Sequence, residues 1–421
     1  MESRDRALRY HEENRGKIQI ISKVRVRDQA DLSLAYTPGV AEPCREIHRD
    51  RQLVNRYTNR ANLVAIVTDG SAVLGLGDIG PEAGLPVMEG KAILFKMFGG
   101  VDAFPICLDT QDPAKIVEVV RLLQPSFGGV NLEDVAAPRA FEIEARLKET
   151  LAVPVFNDDQ HGTAAVVGGA LLNALRHTGR RLEEVRIVFN GAGAAAIATT
   201  RLLFELGARD ISLVDRHGLI YEGRDGEMNP YKADIARMTN LERRRGDLAA
   251  ALNGADVFIG VSVAGALTME MMRGMKAGGI VFALANPVPE IWPVHALEMG
   301  ARVVGTGRCD FPNQINNVLG FPGIFRGALD VGATDINLAM RVAAARALAG
   351  LIPEAELRDD YVVANVLDRR VAPAVAAAVA QAAHQTGVAT VNVSPDWVAE
   401  HCRALVSEIW GPEDNGREGA E

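Results

Sequence analysis

Arg186-Ile-Val-Phe-Asn190, followed by Gly191-Ala-Gly-Ala-Ala-Ala196, reads as a short apolar strand, a glycine turn and the opening of a helix. Gly191 permits the tight turn, and Gly193 lets the backbone approach a pyrophosphate. Ala196 stands where a third glycine would be and is small enough for close helix packing. Asp215 ends the next strand roughly 20 residues on, where an acid that binds a ribose hydroxyl is expected. The spacing predicts a dinucleotide site built from Gly191, Ala192, Gly193, Ala194, Ala195 and Asp215. Asp215 favours NAD, with its free 2′-hydroxyl, whereas Arg216 and Lys232 would neutralise the 2′-phosphate of NADP. The balance tips slightly to NADP.

Outward from this turn the same punctuation recurs. Downstream strands are expected at Asp210–Val214, Val257–Ile259, Ile280–Ala283 and Arg302–Gly305, alternating with helices, which makes a doubly wound, Rossmann-type unit. Upstream, Leu63–Val67, Ala103–Leu108 and Gly129–Leu132 read as strands, with helices at Val87–Phe98, Pro113–Leu123 and Pro138–Thr150. The fold class is therefore α/β: an N-terminal α/β domain with a mostly parallel sheet over residues 1–157, a dinucleotide-binding domain over 158–385, and a helical C-terminal extension over 386–421. The helix Thr163–His177 serves as hinge, further Ala-rich helices are expected at Asn337–Ala349 and Ala372–Ala383, and the polar Gly411–Glu421 tail is expected to fray.

The upstream unit carries the chemistry. Val153-Pro-Val-Phe-Asn-Asp-Asp-Gln-His-Gly-Thr163 sets Asp158 and Asp159 on a turn after a short strand, and Gly129-Val-Asn-Leu-Glu-Asp134 places Glu133 and Asp134 likewise. Ligands collect at the carboxyl ends of parallel strands. Two adjacent carboxylate pairs there suit Mg²⁺ or Mn²⁺, hard cations that prefer oxygen. Three of the four would bind the metal, leaving one acid for proton chemistry. Taken one at a time, such acids are often helix caps. Lys91, in Met88-Glu-Gly-Lys91, starts a helix that follows a glycine-rich segment; desolvated near a metal, its pKa would fall and it would act as a base. Tyr36 lies on an irregular connector, Leu34-Ala-Tyr-Thr-Pro-Gly-Val40, from which it would project into a cleft.

Composition bounds the remaining possibilities. With 421 residues, 48% of them hydrophobic, the chain can bury more than one core. A net charge of -9 and the lack of any Lys/Arg block argue against nucleic acid as a partner. The four cysteines have no CxxC spacing, so neither zinc nor a disulfide framework is indicated. No segment has the apolar length of a spanning helix, and the charged N-terminus lacks an apolar leader, so the expectation is a cytoplasmic, soluble protein.

These motifs resemble those of the malic enzyme family in its short bacterial form. The resemblance rests on Tyr36-Thr-Pro-Gly39, Thr68-Asp-Gly70, Leu74-Gly-Leu-Gly-Asp-Ile-Gly80, Glu89-Gly-Lys91, Leu132-Glu-Asp134, Phe156-Asn-Asp-Asp159, Gly162-Thr-Ala164, Gly191-Ala-Gly193, Ala285-Asn-Pro287 and Asn313-Gln-Ile-Asn-Asn317, in order over about three quarters of the chain. It implies that Glu133, Asp134 and Asp159 bind the metal, that Lys91 is the general base tuned by Asp158, and that Tyr36 is the general acid. Asn286 and Asn317 would hold substrate and nicotinamide. It further implies at least a homodimer, with contacts in the N-terminal region. One departure stands out: larger members carry a substrate-binding arginine shortly after Thr-Asp-Gly, and here the chain reads Ser71-Ala-Val73. The length also leaves no room for the acyltransferase-like domain of the long bacterial form.

The implied reaction is oxidative decarboxylation of L-malate to pyruvate and CO₂ with reduction of NAD(P). Two other readings are an NAD(P)-dependent 2-hydroxy acid or amino-acid dehydrogenase without decarboxylation, which needs no metal cage, and a dinucleotide sensor without turnover, which needs neither Tyr36 nor Lys91.

Overall fold

The computed structural model describes residues 2–411, with no account of the Leu74 side chain or those of Glu2 and Ser3. The expected frayed tail beyond Gly411 lies outside the described residues. Two sheets organise the chain. The first has strands β1 (Leu63–Thr68), β2 (Asp102–Cys107), β3 (Gly129–Leu132) and β4 (Val155–Asn157) in the order β2-β1-β3-β4, all parallel. The second has β5 (Arg186–Asn190), β6 (Asp210–Asp215), β7 (Gly218–Leu219), β8 (Val257–Gly260), β9 (Ile280–Ala283) and β10 (Val303–Thr306) in the order β10-β9-β8-β5-β6-β7. Its strands are parallel except the short edge strand β7, which pairs antiparallel with β6. The order reverses between β5 and β8, which opens a crevice at their carboxyl ends.

The apolar runs become strands because helices cover both faces. Every residue of β3, β8, β9 and β10 is buried, as parallel sheets require. The helix predicted over Val87–Phe98 in fact spans Pro81–Gly99. Pro81 occupies a first-turn position that needs no N–H, so the helix begins before Pro86 rather than after it.

The last part of the chain returns to the first sheet. Phe95 packs against Phe321 and Phe325, with ring centroids 4.6 and 5.1 Å apart, and Phe325 meets Phe156 of β4 at 5.7 Å. All four rings are fully buried, each contributing about 1.5–3 kcal/mol. Trp410 Nε1 donates to Met97 O at 2.7 Å, so the final helix, Pro395–Trp410, is fastened to the Pro81–Gly99 helix as well. The cleft wall that bears Lys91 is thus held from behind by residues some 230 to 320 positions later.

By contrast, the N-terminal arm is poorly covered. Its helices Glu2–Asn14, Gln29–Ala35 and Ala41–Arg49 leave Leu8, Ile20, Ile21, Val24, Leu34 and Tyr36 exposed.

Candidate active site

The register of the first sheet assembles the acidic pairs. β3 and β4 pair Leu132 with Asn157, so the next residues, Glu133 and Asp158, emerge side by side. After β4 the chain makes one π-helical turn, Asp158–Gly162, before the helix Thr163–Thr178. Asp134 adopts a left-handed backbone, φ +52°, and its N–H donates to Asp159 Oδ2 at 2.8 Å. Sparsely populated backbone of this kind persists only where the surroundings impose it. Here they do: Ala72 N–H donates to Asp134 O at 3.0 Å and Ala136 N–H to Ser71 Oγ at 2.9 Å. The Ser71-Ala-Val73 segment, which holds no arginine, therefore braces the turn at Asp134 through the Ala72 backbone and the Ser71 hydroxyl. Arg139, on the adjoining helix, stands 3.5 Å from Asp69.

Glu133, Asp134 and Asp159 each present an oxygen within 4.8 Å of the others. Burial raises both Glu133 and Asp159 above the ordinary carboxylate range; neighbouring acids add to this, Asp159 and Asp158 around Glu133, Asp134 around Asp159. Three crowded acids, Glu133 and Asp134 buried and Asp159 half-buried, form a pocket whose charge a divalent cation would relieve, and the all-oxygen donor set fits Mg²⁺ or Mn²⁺.

Lys91 Nζ lies 2.5 Å from Asp158 Oδ2, 2.8 Å from Glu133 Oε1 and 4.3 Å from the centre of the Phe321 ring. Among the protein groups alone the direction of its pKa is opposite to the fall expected beside a metal. Burial does lower it, but Asp158 and then Glu133 more than compensate, and the ammonium is held above its ordinary 10.5. Asn317 Nδ2 donates to Asp158 Oδ2 at 3.1 Å, and Thr163 Oγ1 donates to Asn317 Oδ1 at 3.0 Å. A side chain on Gly162 would stand 1.8 Å from Asp158 Oδ1, so the glycine is required for Asp158 to turn toward Lys91.

Behind the turn is a network that the sequence reading passed over. His161 sits between Glu144 Oε1, 2.7 Å from Nε2, and the Arg341 guanidinium, which donates to Nδ1. Lys148 joins Glu144 at 3.4 Å and Asp335 at 3.2 Å. Burial and Arg341 hold His161 down to about 4 against the pull of Glu144. Glu144 is brought down to about 2: burial alone would raise it, but His161, Lys148 and Arg341 outweigh that. Glu144, Lys148 and His161 are near one another in sequence, but Arg341 lies 180 residues from His161, so local spacing does not reveal the network.

Tyr36 is not in the cleft of its own chain. It caps the helix Gln29–Ala35 and is 68% exposed. The arm passes the Lys91 helix at Lys17, whose N–H donates to Glu89 at 3.0 Å. It then runs to the start of β2, where Lys23 Nζ reaches Asn59 at 2.6 Å and Asp102 at 3.4 Å.

The dinucleotide turn is built as its residues require. Gly191 has φ +120°, and a Cβ there would lie 2.6 Å from Val261 O; a Cβ on Gly193 would meet nothing. Gly191, Ala192 and Gly193 line a cavity of about 490 Å³ together with Asp215, Arg216 and Lys232. Ala194 and Ala195 open the helix Ala194–Leu206. Phe141, from the first domain, stacks on Tyr231 of the second at 4.2 Å. Asn286 follows β9, where Gly307 leaves room for its side chain and Gly75 for its carbonyl. Asp215, the acid expected at the ribose, is engaged within the protein: Arg224 donates to both of its oxygens at 2.8 Å, and Lys232 to Oδ2 at 2.7 Å. Arg216 pairs instead with Glu227.

Among the described residues no helix is long and apolar enough to cross a membrane. Residues 15–115 match the family described as malic enzyme, N-terminal domain, and residues 160–384 match malic enzyme, NAD binding domain. The chain is 60% identical over 405 residues to the bifunctional malic/malolactic enzyme of Bacillus subtilis (strain 168), covering 96% of this chain and 99% of that protein. It is 54% identical over 380 residues to the NAD-dependent malic enzyme of Geobacillus stearothermophilus, covering 90% of this chain and 79% of that one. The crystal structure of malic enzyme from Pyrococcus horikoshii Ot3 superposes with a TM-score of 0.92 at 48% identity, covering 96% of each chain. Two matched domains on the two observed sheets, and identity carried through the whole chain, make this protein a member of the malic enzyme family.

Proposed function

We propose that the chain catalyses the oxidative decarboxylation of L-malate to pyruvate and CO₂ with reduction of NAD(P). The observation that carries this is the contact of Lys91 with Glu133 and Asp158 beside three clustered acids. Glu133, Asp134 and Asp159 hold Mg²⁺ or Mn²⁺, and Gly191 to Ala195 receive the pyrophosphate. Bound there, the dinucleotide would supply the hydride acceptor and the cation a Lewis acid for the substrate's C2 oxygen.

Lys91 takes the proton of the C2 hydroxyl, and Asp158 fixes the position of its amine. Lys91 must be neutral to do so; Asp158 and Glu133 favour its ammonium, and a cation held by Glu133 would answer one of those two charges and favour the neutral amine. Asn317, already hydrogen-bonded to Asp158, and Asn286 orient substrate and nicotinamide. Lys232 and Arg216 favour NADP. Tyr36 delivers a proton at C3, and its exposure supports a homodimer in which the apolar arm is covered by a second copy. Phe141 and Tyr231 bridge the two domains beside the dinucleotide cavity.

Absorbance at 340 nm with L-malate, Mn²⁺ and either dinucleotide, with pyruvate assayed alongside, tests the reading. Reduced dinucleotide matched by pyruvate is expected. Reduction without pyruvate would mean a plain dehydrogenase, and binding without turnover a sensor.

A further inference from the structure

Across the reversal of strand order from Asp215, a second acid serves the crevice from beneath. Asn190, Gly260 and Ala283 stand level at the ends of β5, β8 and β9, and all three ends are tied to the side chain of Glu290, which is fully buried. Ser262 N–H donates to Glu290 Oε1 at 2.8 Å and Ser262 Oγ to the same oxygen at 3.2 Å, while Ala285 N–H donates to Oε2 at 3.0 Å. Ser262 Oγ accepts in turn from Asn190 Nδ2 at 2.7 Å. Each carboxylate oxygen thus holds a different loop. Gly260 makes the room, since a Cβ there would stand 2.4 Å from the Glu290 carboxyl carbon. A buried carboxylate persists only where donors meet it. Here the donors belong to segments that face the ligand: Ser262 and Val263 line the dinucleotide cavity, and Ala285 is joined directly to Asn286.

A doubly wound sheet receives the two halves of a dinucleotide on either side of the reversal. With Asp215 ending β6 on the adenosine side, the loops after β8 and β9 take the nicotinamide half. We propose that Glu290 is a positioning residue for the nicotinamide: it fixes the Ser262 loop and the Ala285-Asn286 segment relative to one another, so that the ring is held in one arrangement for hydride transfer. Being fully enclosed, Glu290 does not meet the ligand itself. Its span requires two acceptor oxygens at the reach of a glutamate. The amide of a glutamine would turn N–H groups toward one of the donors, leaving that donor without an acceptor. The inference rests on the dinucleotide reading of the cavity and deepens it.

Two probes on the whole enzyme test this. ADP-ribose, carrying a 2′-phosphate if NADP is the preferred dinucleotide, lacks the nicotinamide and is titrated by calorimetry. The matching reduced dinucleotide is titrated by the fluorescence of its nicotinamide. Neither arm needs malate, so failure of the proposed reaction leaves the comparison to decide. In Glu290→Gln, affinity for ADP-ribose should stay within about twofold of the parent while affinity for the reduced dinucleotide falls by about tenfold, the scale of one buried hydrogen bond lost. The fluorescence of the bound nicotinamide should move toward that of the free dinucleotide, a signature that a merely structural role would leave in place. Gly260→Ala, which crowds the carboxylate without removing it, should reproduce the split, and it decides the matter should Glu290→Gln not fold. Equal losses on the two probes, or unchanged affinity and fluorescence of the reduced dinucleotide, would overturn the proposal. A parent that binds neither probe would remove the dinucleotide reading and the proposal with it.

Discussion

At the scale of single residues, the site depends on which groups share a proton and which share a charge. Lys91 is held as an ammonium by Asp158 and Glu133, so the three act as one unit. Lys91→Ala should lower kcat for malate oxidation by about 10³-fold, within the range of general-base catalysis. Mn²⁺ affinity, read by electron paramagnetic resonance, should be retained; its loss would argue against a proton-transfer role. Tyr36→Phe should impair exchange of the pyruvate C3 protons more than reduction of oxaloacetate, and equal losses in the two assays would remove the case for an acid dedicated to C3. The acids at 133, 134, 158 and 159 were legible in the sequence because each adjacent pair ends a strand. The upward pull on the Lys91 pKa was not legible in the sequence, because it comes from two carboxylates that tertiary pairing brings within 2.8 Å.

At the scale of elements, the turns do the positioning. Gly70 has φ +68°, and a Cβ there would lie 2.2 Å from Gly80 O; Ile79 and Gly80 N–H both donate to Gly70 O at 3.2 Å. Gly70→Ala should therefore cost about 2 kcal/mol or more, from left-handed strain and the clash together, measurable as a shifted urea midpoint. It should also weaken metal binding, since the same loop braces Asp134. The π-helical turn is anchored by Glu144, whose folded pKa of about 2 lies below its ordinary 4.5. A depressed carboxylate contributes stability that is present above 4.5 and is lost as pH falls toward 2. Glu144→Gln should destabilise the protein near neutrality by about 3 kcal/mol, as for a broken buried pair, and flatten the acid limb below pH 4.5. An unchanged acid limb in urea titrations would show that Glu144 does not govern it. Helix and strand positions were largely legible from apolar runs and Gly/Pro punctuation. The start at Pro81 was not, because a proline in the second turn reads as a boundary when it is only a tolerated interruption.

At the scale of the whole molecule, two α/β units face each other, and helices from the end of the chain lock the first. The arm before β1 has no comparable cover, with Ile20 87% and Ile21 72% exposed. Apolar surface on that scale is what the proposed dimer would cover. Ile20→Asp/Ile21→Asp should shift the particle from dimer to monomer in light scattering and lower malate turnover with it; a monomeric parent would refute the assignment of the arm to self-association. The sequence by itself determined the two α/β units, the dinucleotide turn and the identity of the acids, because strand periodicity, glycine conformation and adjacent carboxylates are local properties. Only the tertiary structure decided what each charge meets: Lys91 between two acids, Asp215 closed off by Arg224, His161 between Glu144 and Arg341, Tyr36 away from its own cleft. Those outcomes depend on strand register and on helices packed from distant parts of the chain, and a buried charge takes its behaviour from the neighbours that such packing supplies.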